Sequence, residues 1–154
     1  MAGFDAKQHG GRLADLINLQ RLKDQLIFHE GLRLKPYHCS AKKLTIGVGR
    51  NLDDVGITEE EALVLLVNDT ARVIGELDRN IPTFTHLDEI RKRVLVDMGF
   101  NLGISRLLLF RRMLAALEQG DYQKAAVEMM DSKWANQVGS RAERLNNMMK
   151  TGDE

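Results

Sequence analysis

The chain has 154 residues, enough for about one domain with a sizeable apolar core. Its 22 basic and 22 acidic side chains give a formal net charge of zero, which points neither to nucleic acid nor to a membrane surface. One cysteine excludes an internal disulfide, and no apolar run approaches the ~20 residues of a membrane-spanning helix. We therefore expect a globular protein with no nucleic-acid partner and no stable membrane insertion.

The first predicted element is a helix that ends near Glu30. Residues 1–11 are polar and contain three glycines, so no regular structure is expected there. From Leu13 onward apolar residues recur at helical spacing, and Gly31 is typical of the position after a last turn. Charged residues interrupt this apolar pattern, so the sequence predicts no signal peptide.

A small β element follows the first helix. Leu44, Ile46 and Val48 alternate with smaller or polar residues, which is typical of a strand. Leu34 and Tyr37 belong to the expected partner strand, with a turn around residues 40–42.

The rest of the chain is predicted to be helical. Thr58 and Glu61 have the spacing of a capping box, which predicts a helix of about 20 residues over 59–79. After Pro82, apolar stripes with period 3.6 predict further helices, one of which includes Leu107, Phe110, Leu114 and Leu117. The lone Trp134 is predicted to lie in the core. The expected fold class is α+β, mostly helical, with one small β element.

Glu30 is the first candidate for chemistry. A carboxylate at a helix C-terminus meets the negative end of the helix dipole, which favours the protonated form that a general acid needs. By position alone, however, a surface glutamate without function is the commoner explanation.

The neighbours of Glu30 change this interpretation. Residues 29–39 read HEGLRLKPYHC, residues 44–49 read LTIGVG, and Glu30, Cys39 and Thr45 have the spacing E-x8-C-x5-T. This pattern resembles the phage-type lysozymes of glycoside hydrolase family 24, and the resemblance extends over roughly residues 22–151. It implies an endolysin that hydrolyses the β-1,4 bonds between N-acetylmuramic acid and N-acetylglucosamine in peptidoglycan.

The resemblance also implies a domain organisation and residue roles. A single lysozyme-like domain would comprise an N-terminal extension (1–20), a small lobe (21–58), an interlobe helix (59–79) and a helical lobe (80–154). Glu30 would protonate the glycosidic oxygen, Thr45 would help hold the attacking water, and Arg141 would reach Glu30 from the other lobe. Asp97 replaces an asparagine of the family. The implied contacts to the glycan come from Leu52, Phe100, Asn101, Gln137 and Arg141.

Cys39 departs from the T-even phage pattern, which has an aspartate there, although the broader family also admits cysteine. Glycosidases usually employ two carboxylates. As a thiolate, Cys39 can orient water or attack the sugar carbon, whereas a thiol positions water only weakly. Cysteine is also often buried without chemical function, so this alternative stays open.

Four further expectations concern function and setting. A lytic transglycosylase, which needs one glutamate and no second carboxylate, is the alternative reaction on the same substrate. A non-catalytic peptidoglycan-binding or virion module is the alternative from another class. No cofactor or metal is expected, since the histidines show no ligand spacing. The protein is expected to be a monomer in the host cytoplasm before lysis, and to reach the periplasmic wall through a holin-type opening.

Overall fold

The computed structural model describes residues 17–154, and the chain divides into two compact units, residues 1–59 and 60–154. The prediction of a mostly helical α+β fold is confirmed. The expectations for residues 1–16, including the helix start at Leu13, lie outside the described residues. Among the helices that are described, none combines the length and apolar character needed to cross a membrane.

Unit 1 begins with helix α1 (Leu19–Glu30). The side chain of Asn18 caps its first turn by accepting a hydrogen bond from the main-chain N–H of Arg21. The helix ends at Gly31, whose φ of 76° and N–H bond to the carbonyl of Ile27 turn the chain toward the sheet. The predicted end of this helix is confirmed, and Glu30 is its last residue.

A three-stranded antiparallel sheet follows, built from β1 (Arg33–His38), β2 (Leu44–Gly47) and β3 (Arg50–Asn51) in the order β1-β2-β3. The predicted pair of strands is confirmed, with Tyr37 opposite Thr45. Two details differ from the prediction. Val48 lies outside β2 because positive φ at Gly47 and Gly49 turns the chain there, and this turn creates the third strand.

Unit 2 is helical. Its first helix is α2 (Glu59–Asn80), of which only Glu59 belongs to unit 1. The elements that follow are a 3-10 helix (Pro82–His86), α3 (Glu89–Leu102), α4 (Ile104–Leu107), α5 (Arg111–Glu118), α6 (Tyr122–Met130), α7 (Lys133–Val138) and α8 (Ser140–Thr151). The long helix predicted over 59–79 is confirmed at 22 residues. The expectation that it joins two lobes of one domain stays a prediction.

The hydrophobic core of the described residues lies in unit 2. Its buried side chains come from every helix of the unit, with Leu77, Val94, Leu95, Met98, Leu107, Met129 and Met149 among the most enclosed. Trp134 is 4% exposed, which confirms its predicted place in the core. In unit 1, by contrast, Thr45 is the one buried residue between positions 17 and 59.

One helical stripe was predicted wrongly. Leu107, Phe110 and Leu114 do not share a helix, because α4 ends at Leu107 and α5 begins at Arg111. Phe110 leaves helical geometry at ψ 52° and packs edge-on against Trp134, with ring centroids 6.1 Å apart. The sequence has no glycine or proline at this break between α4 and α5. The break coincides instead with the contact between Phe110 and Trp134, which are distant in the chain.

Arg91 joins α3 to the end of α8. Its buried guanidinium donates to the carbonyls of Met149 (2.8 Å) and Lys150 (3.2 Å), and it lies 3.6 Å from the ring centroid of Tyr122. It also pairs with Asp88, the N-cap residue of α3, at 2.6 Å. Burial raises the pKa of Asp88, but the hydrogen bonds from Arg91 outweigh it, so the net pKa lies below the ordinary value.

Arg91→Ala is expected to lower the free energy of unfolding by about 3 kcal/mol, because it leaves carbonyls of α8 without their donor and Asp88 without its cation. Arg93→Ala is the matched control on the same helix. Its ion pairs with Glu89 and Glu154 are exposed, so the expected loss is below about 1 kcal/mol. Urea unfolding of both variants measures the difference, and equal losses would contradict this account.

Candidate active site

Glu30 lies against the turn between β2 and β3. It is exposed at the end of α1, and its Oε2 is 3.4 Å from the position that a Cβ would take on Gly49. Gly49 has φ +73°, which an L side chain rarely adopts. Glycine at this position therefore gives the required turn and leaves room beside the carboxylate.

Gly49→Ala is expected to lower activity about tenfold or more, because small displacements of a catalytic group are costly. Gly47→Ala is a close control. Gly47 has φ +68° in the same turn, but nothing lies within 4 Å of its Cβ position. Both variants carry similar backbone strain, of about 1–2 kcal/mol, and only Gly49→Ala places a methyl group in contact with the Glu30 carboxylate. Turbidity clearance and thermal melts of the two proteins separate the effects; equal activities would refute the role of Gly49.

Cys39 and Thr45 meet across the hairpin. Cys39 directly follows β1, and its main chain exchanges hydrogen bonds with the turn: its N–H donates to the carbonyl of Lys43 (3.0 Å) and its carbonyl accepts from Lys42 (2.8 Å). Thr45 is 3% exposed on the central strand, and its hydroxyl donates to the carbonyl of Lys43 at 2.9 Å. The turn thus holds the thiol and the hydroxyl side by side.

The environment of Cys39 favours the thiolate. Hydrogen bonding from the main chain of Lys43 is the largest cause that lowers its pKa, followed by the Thr45 hydroxyl and the main chain of Ala41. Burial opposes this shift only partly, since the side chain remains half-buried. A lowered thiol pKa increases the population of the nucleophilic and basic form near neutral pH.

The loop after β3 contains residues that sequence analysis missed. Asp53 accepts a hydrogen bond from the main-chain N–H of Leu44 (2.8 Å), and Asp54 pairs with Lys43 at 2.8 Å. Asn51 and Asp54 bond to each other through side chain and main chain. Closely spaced Asn and Asp residues after a strand are a turn signal, but their attachment to β2 is not legible in the sequence.

The predicted glycan contacts of unit 2 lie in two places. Asn101 accepts a hydrogen bond from the indole N–H of Trp134 (2.8 Å), and Trp134 and Gln137 line a cavity of about 700 Å³. Phe100, on the same helix as Asn101, is 45% exposed. The indole contact fixes the orientation of the Asn101 amide.

Arg141 forms its ion pair within unit 2. Its Nε and Nη2 contact the same oxygen of Asp97, at 2.8 and 2.7 Å, beside a second cavity of about 560 Å³. The aspartate that replaces the family's asparagine thus has a local cationic partner. The predicted approach of Arg141 to Glu30 would join the two units and stays a prediction.

Leu52, the last predicted contact residue, is half-buried in unit 1, and its main-chain N–H donates to the carbonyl of Leu44 (2.7 Å). Its main chain therefore supports the same strand that carries Thr45. Within residues 17–154, no three His, Cys, Asp or Glu side chains come together as a possible metal site.

Comparison with known proteins adds to this geometry. The phage lysozyme family matches residues 28–150 of the chain. The chain is 28% identical to probable T4-type lysozyme 1 of Dictyostelium discoideum, over 85% of this chain and 94% of that protein. It is 35% identical to the endolysin of Acyrthosiphon pisum secondary endosymbiont phage 1, over 70% and 72% of the two chains. It is also 30% identical to the pre-baseplate central spike protein Gp5 of Enterobacteria phage T4, over 80% of this chain but 26% of that protein.

Proposed function

The chain belongs to the phage lysozyme family, and on this premise we propose that it cleaves peptidoglycan with Glu30 as the acid and Cys39 in place of a second carboxylate. Hydrolysis of peptidoglycan by a lysozyme-type glycoside hydrolase follows from the family. The bond cleaved would be the β-1,4 linkage between N-acetylmuramic acid and N-acetylglucosamine. The assignment of residues to steps is our proposal.

Glu30 would donate its proton to the glycosidic oxygen as the bond to the sugar carbon breaks. Its exposed carboxylate at the end of α1 is open to a large substrate, and Gly49 leaves the space beside it free of side-chain atoms. This pair of observations supports the assignment. Protonation of the leaving oxygen is the step for which a general acid contributes most in glycoside cleavage.

Cys39 would act on the other reactant. As a thiolate it can accept a proton from water while that water attacks the sugar carbon, or it can attack the carbon itself and form a covalent intermediate. The hydrogen bonds from Lys43 and Thr45 support either role, because they favour the thiolate. Thr45, whose hydroxyl lies beside the sulfur, would help hold the attacking water.

One observation carries the proposal: the Cys39 thiol lies beside the Thr45 hydroxyl, and the turn that follows Thr45 places Gly49 next to the carboxylate of Glu30. The remaining predicted contacts, from Leu52, Phe100, Asn101, Gln137 and Arg141, would hold the glycan. Loss of turbidity of chloroform-permeabilised Gram-negative cells on addition of the purified protein tests the activity. A non-catalytic binding module would clear nothing.

A lytic transglycosylase is the alternative chemistry on the same substrate. It needs one acid/base glutamate, so a thiol in place of the second carboxylate is compatible with it. In that reaction the 6-hydroxyl of the muramic acid attacks the sugar carbon in place of water. The products therefore distinguish the two reactions, since only hydrolysis leaves reducing ends.

The similarity to the T4 spike protein favours a second setting, in which this lysozyme unit acts as part of a phage particle. The endolysin similarity favours free enzyme released at host lysis, which we adopt. As a monomeric endolysin held in the host cytoplasm, the protein would need a holin-type opening to reach the wall. Expression in Escherichia coli should then cause lysis only with a co-expressed holin or after chloroform.

A further inference from the structure

We propose that Asp53 is a positioning residue for Cys39, acting through the main chain of Lys43 and Leu44. This inference rests on the proposed role of Cys39 in the reaction. The loop 51–56 would hold the start of β2 in place, so that the main chain of Lys43 stays aligned with the sulfur. Asp53 itself would touch neither substrate nor sulfur.

The main-chain N–H of Leu44 donates a hydrogen bond to Oδ2 of Asp53, at 2.8 Å. A bond from a main-chain N–H to a carboxylate is charge-assisted, and it is stronger than a neutral bond. It restrains the peptide between Lys43 and Leu44, which contains the carbonyl that accepts from the N–H of Cys39 (3.0 Å). Asp53 thus binds Leu44, the residue next to Lys43, and the main chain of Lys43 is hydrogen-bonded to the thiol.

Hydrogen bonds within the loop hold the segment that presents Asp53. Asn51 and Asp54 bond to each other twice, at 2.9 and 3.1 Å, and the N–H of Val55 donates to the carbonyl of Asn51 (3.1 Å). The N–H of Leu52 closes the loop onto the carbonyl of Leu44 at 2.7 Å. Asp54 also pairs with Lys43, but both side chains are about half exposed, so this pair contributes little.

The start of β2, which Asp53 restrains, also supplies hydrogen bonds to the sulfur of Cys39. The main chain of Lys43 is the largest cause that lowers the pKa of Cys39, ahead of Thr45 and Ala41. If the start of β2 moves, these hydrogen bonds lengthen and the thiolate loses its donors. Removal of Asp53 should therefore raise the pKa of Cys39.

A direct charge effect predicts the opposite sign. Asp53 and Asp54 are negative, and a nearby negative charge disfavours a thiolate, whereas Lys42, Lys43 and protonated His38 favour it. If Asp53 acted on Cys39 only through its charge, its removal would lower the thiol pKa. The sign of the shift separates the two explanations.

The test is the pH dependence of alkylation of Cys39 by iodoacetamide, followed by mass spectrometry of the full chain. Cys39 is the only cysteine, so the modification is unambiguous. For Asp53→Ala we expect the midpoint to move to higher pH, with an about three- to tenfold lower rate at pH 7 relative to the plateau. Asp53→Asn keeps an oxygen that accepts from Leu44 and should retain a midpoint at or below that of the native protein.

Asp24→Ala serves as the control for loss of one negative charge in unit 1. Its side chain is exposed on α1, where it accepts from Gln20, and its loss should leave the midpoint unchanged. An unchanged midpoint in Asp53→Ala, or a shift to lower pH, would overturn the inference. So would an equal upward shift in Asp53→Asn. Asp53→Ser, whose shorter side chain carries the oxygen elsewhere, repeats the test should Asp53→Ala not fold.

The alkylation midpoint and the lysis activity report on different claims. If Cys39→Ala retains full activity, the proposed role of the thiol fails, while the effect of Asp53 on the thiol can still be measured. If both claims hold, Asp53→Ala should lower kcat more than it raises KM, and Asp53→Asn should restore most of kcat.

Discussion

Glu30→Gln is expected to abolish lysis, with a loss of about 10²–10⁴ in the rate of glycan cleavage. Glutamine has nearly the same shape and still fits beside Gly49, but its amide is not acidic and cannot transfer a proton to the glycosidic oxygen. The fold should be unaffected, because Glu30 is exposed and its replacement leaves no buried group unpaired. Muropeptide release from purified peptidoglycan measures the loss over this range more directly than turbidity does.

Glu118→Gln provides the control for removal of a carboxylate. Glu118 is exposed at the last position of α5, in unit 2, and carries no proposed role. Its loss should change the rate by less than about twofold. If Glu30→Gln kept more than about a tenth of the native rate while remaining folded, Glu30 would not be the catalytic acid.

Cys39 gives the second large expected effect, as a difference between two variants. Cys39→Ala should lower the rate about 10²-fold, because no group would remain to activate water or to attack the sugar carbon. Cys39→Asp should retain activity within about tenfold of the native protein, since a carboxylate can take either role. Rates on purified peptidoglycan measure both, and full activity in Cys39→Ala would eliminate a catalytic role for the thiol.

The pH dependence of these variants tests the thiolate directly. If the thiolate is the active form, the rate follows the product of the thiolate fraction of Cys39 and the protonated fraction of Glu30, and the limb set by Cys39 should lie below the ordinary range of a thiol because its pKa is lowered. An aspartate ionises at about 3.9, so this limb should move to lower pH by several units in Cys39→Asp. Identical pH profiles in both proteins would show that the ionisation of residue 39 does not control the rate.

The sequence predicts the elements that local patterns encode. Gly31 marks the end of α1 and the alternation at 44–48 marks β2, so the placement of Glu30 and Thr45 on these elements could be predicted before any coordinates. The long helix from Glu59 was equally legible from its capping residues and apolar stripe. In each case neighbours in the chain determine the local conformation.

What the sequence did not reveal depends on partners distant in the chain. β3 has only two residues and no alternation, and it exists because Arg50 and Asn51 pair with β2. Arg91 is a charged residue on a helix, and such residues are usually exposed. It is nevertheless buried, and its guanidinium donates to carbonyls 58 and 59 positions away in the chain. The bond from Leu44 to Asp53 is likewise a property of the folded loop.

Hydrolysis of glycan strands by this chain is tested most directly by mass spectrometry of the muropeptides released from purified peptidoglycan. Hydrolysis predicts new reducing ends on N-acetylmuramic acid that sodium borohydride converts to muramitol, and no such products with Glu30→Gln. Release of 1,6-anhydro-muramic ends would instead show a transglycosylase. The absence of any released product from the native protein would contradict glycan cleavage altogether.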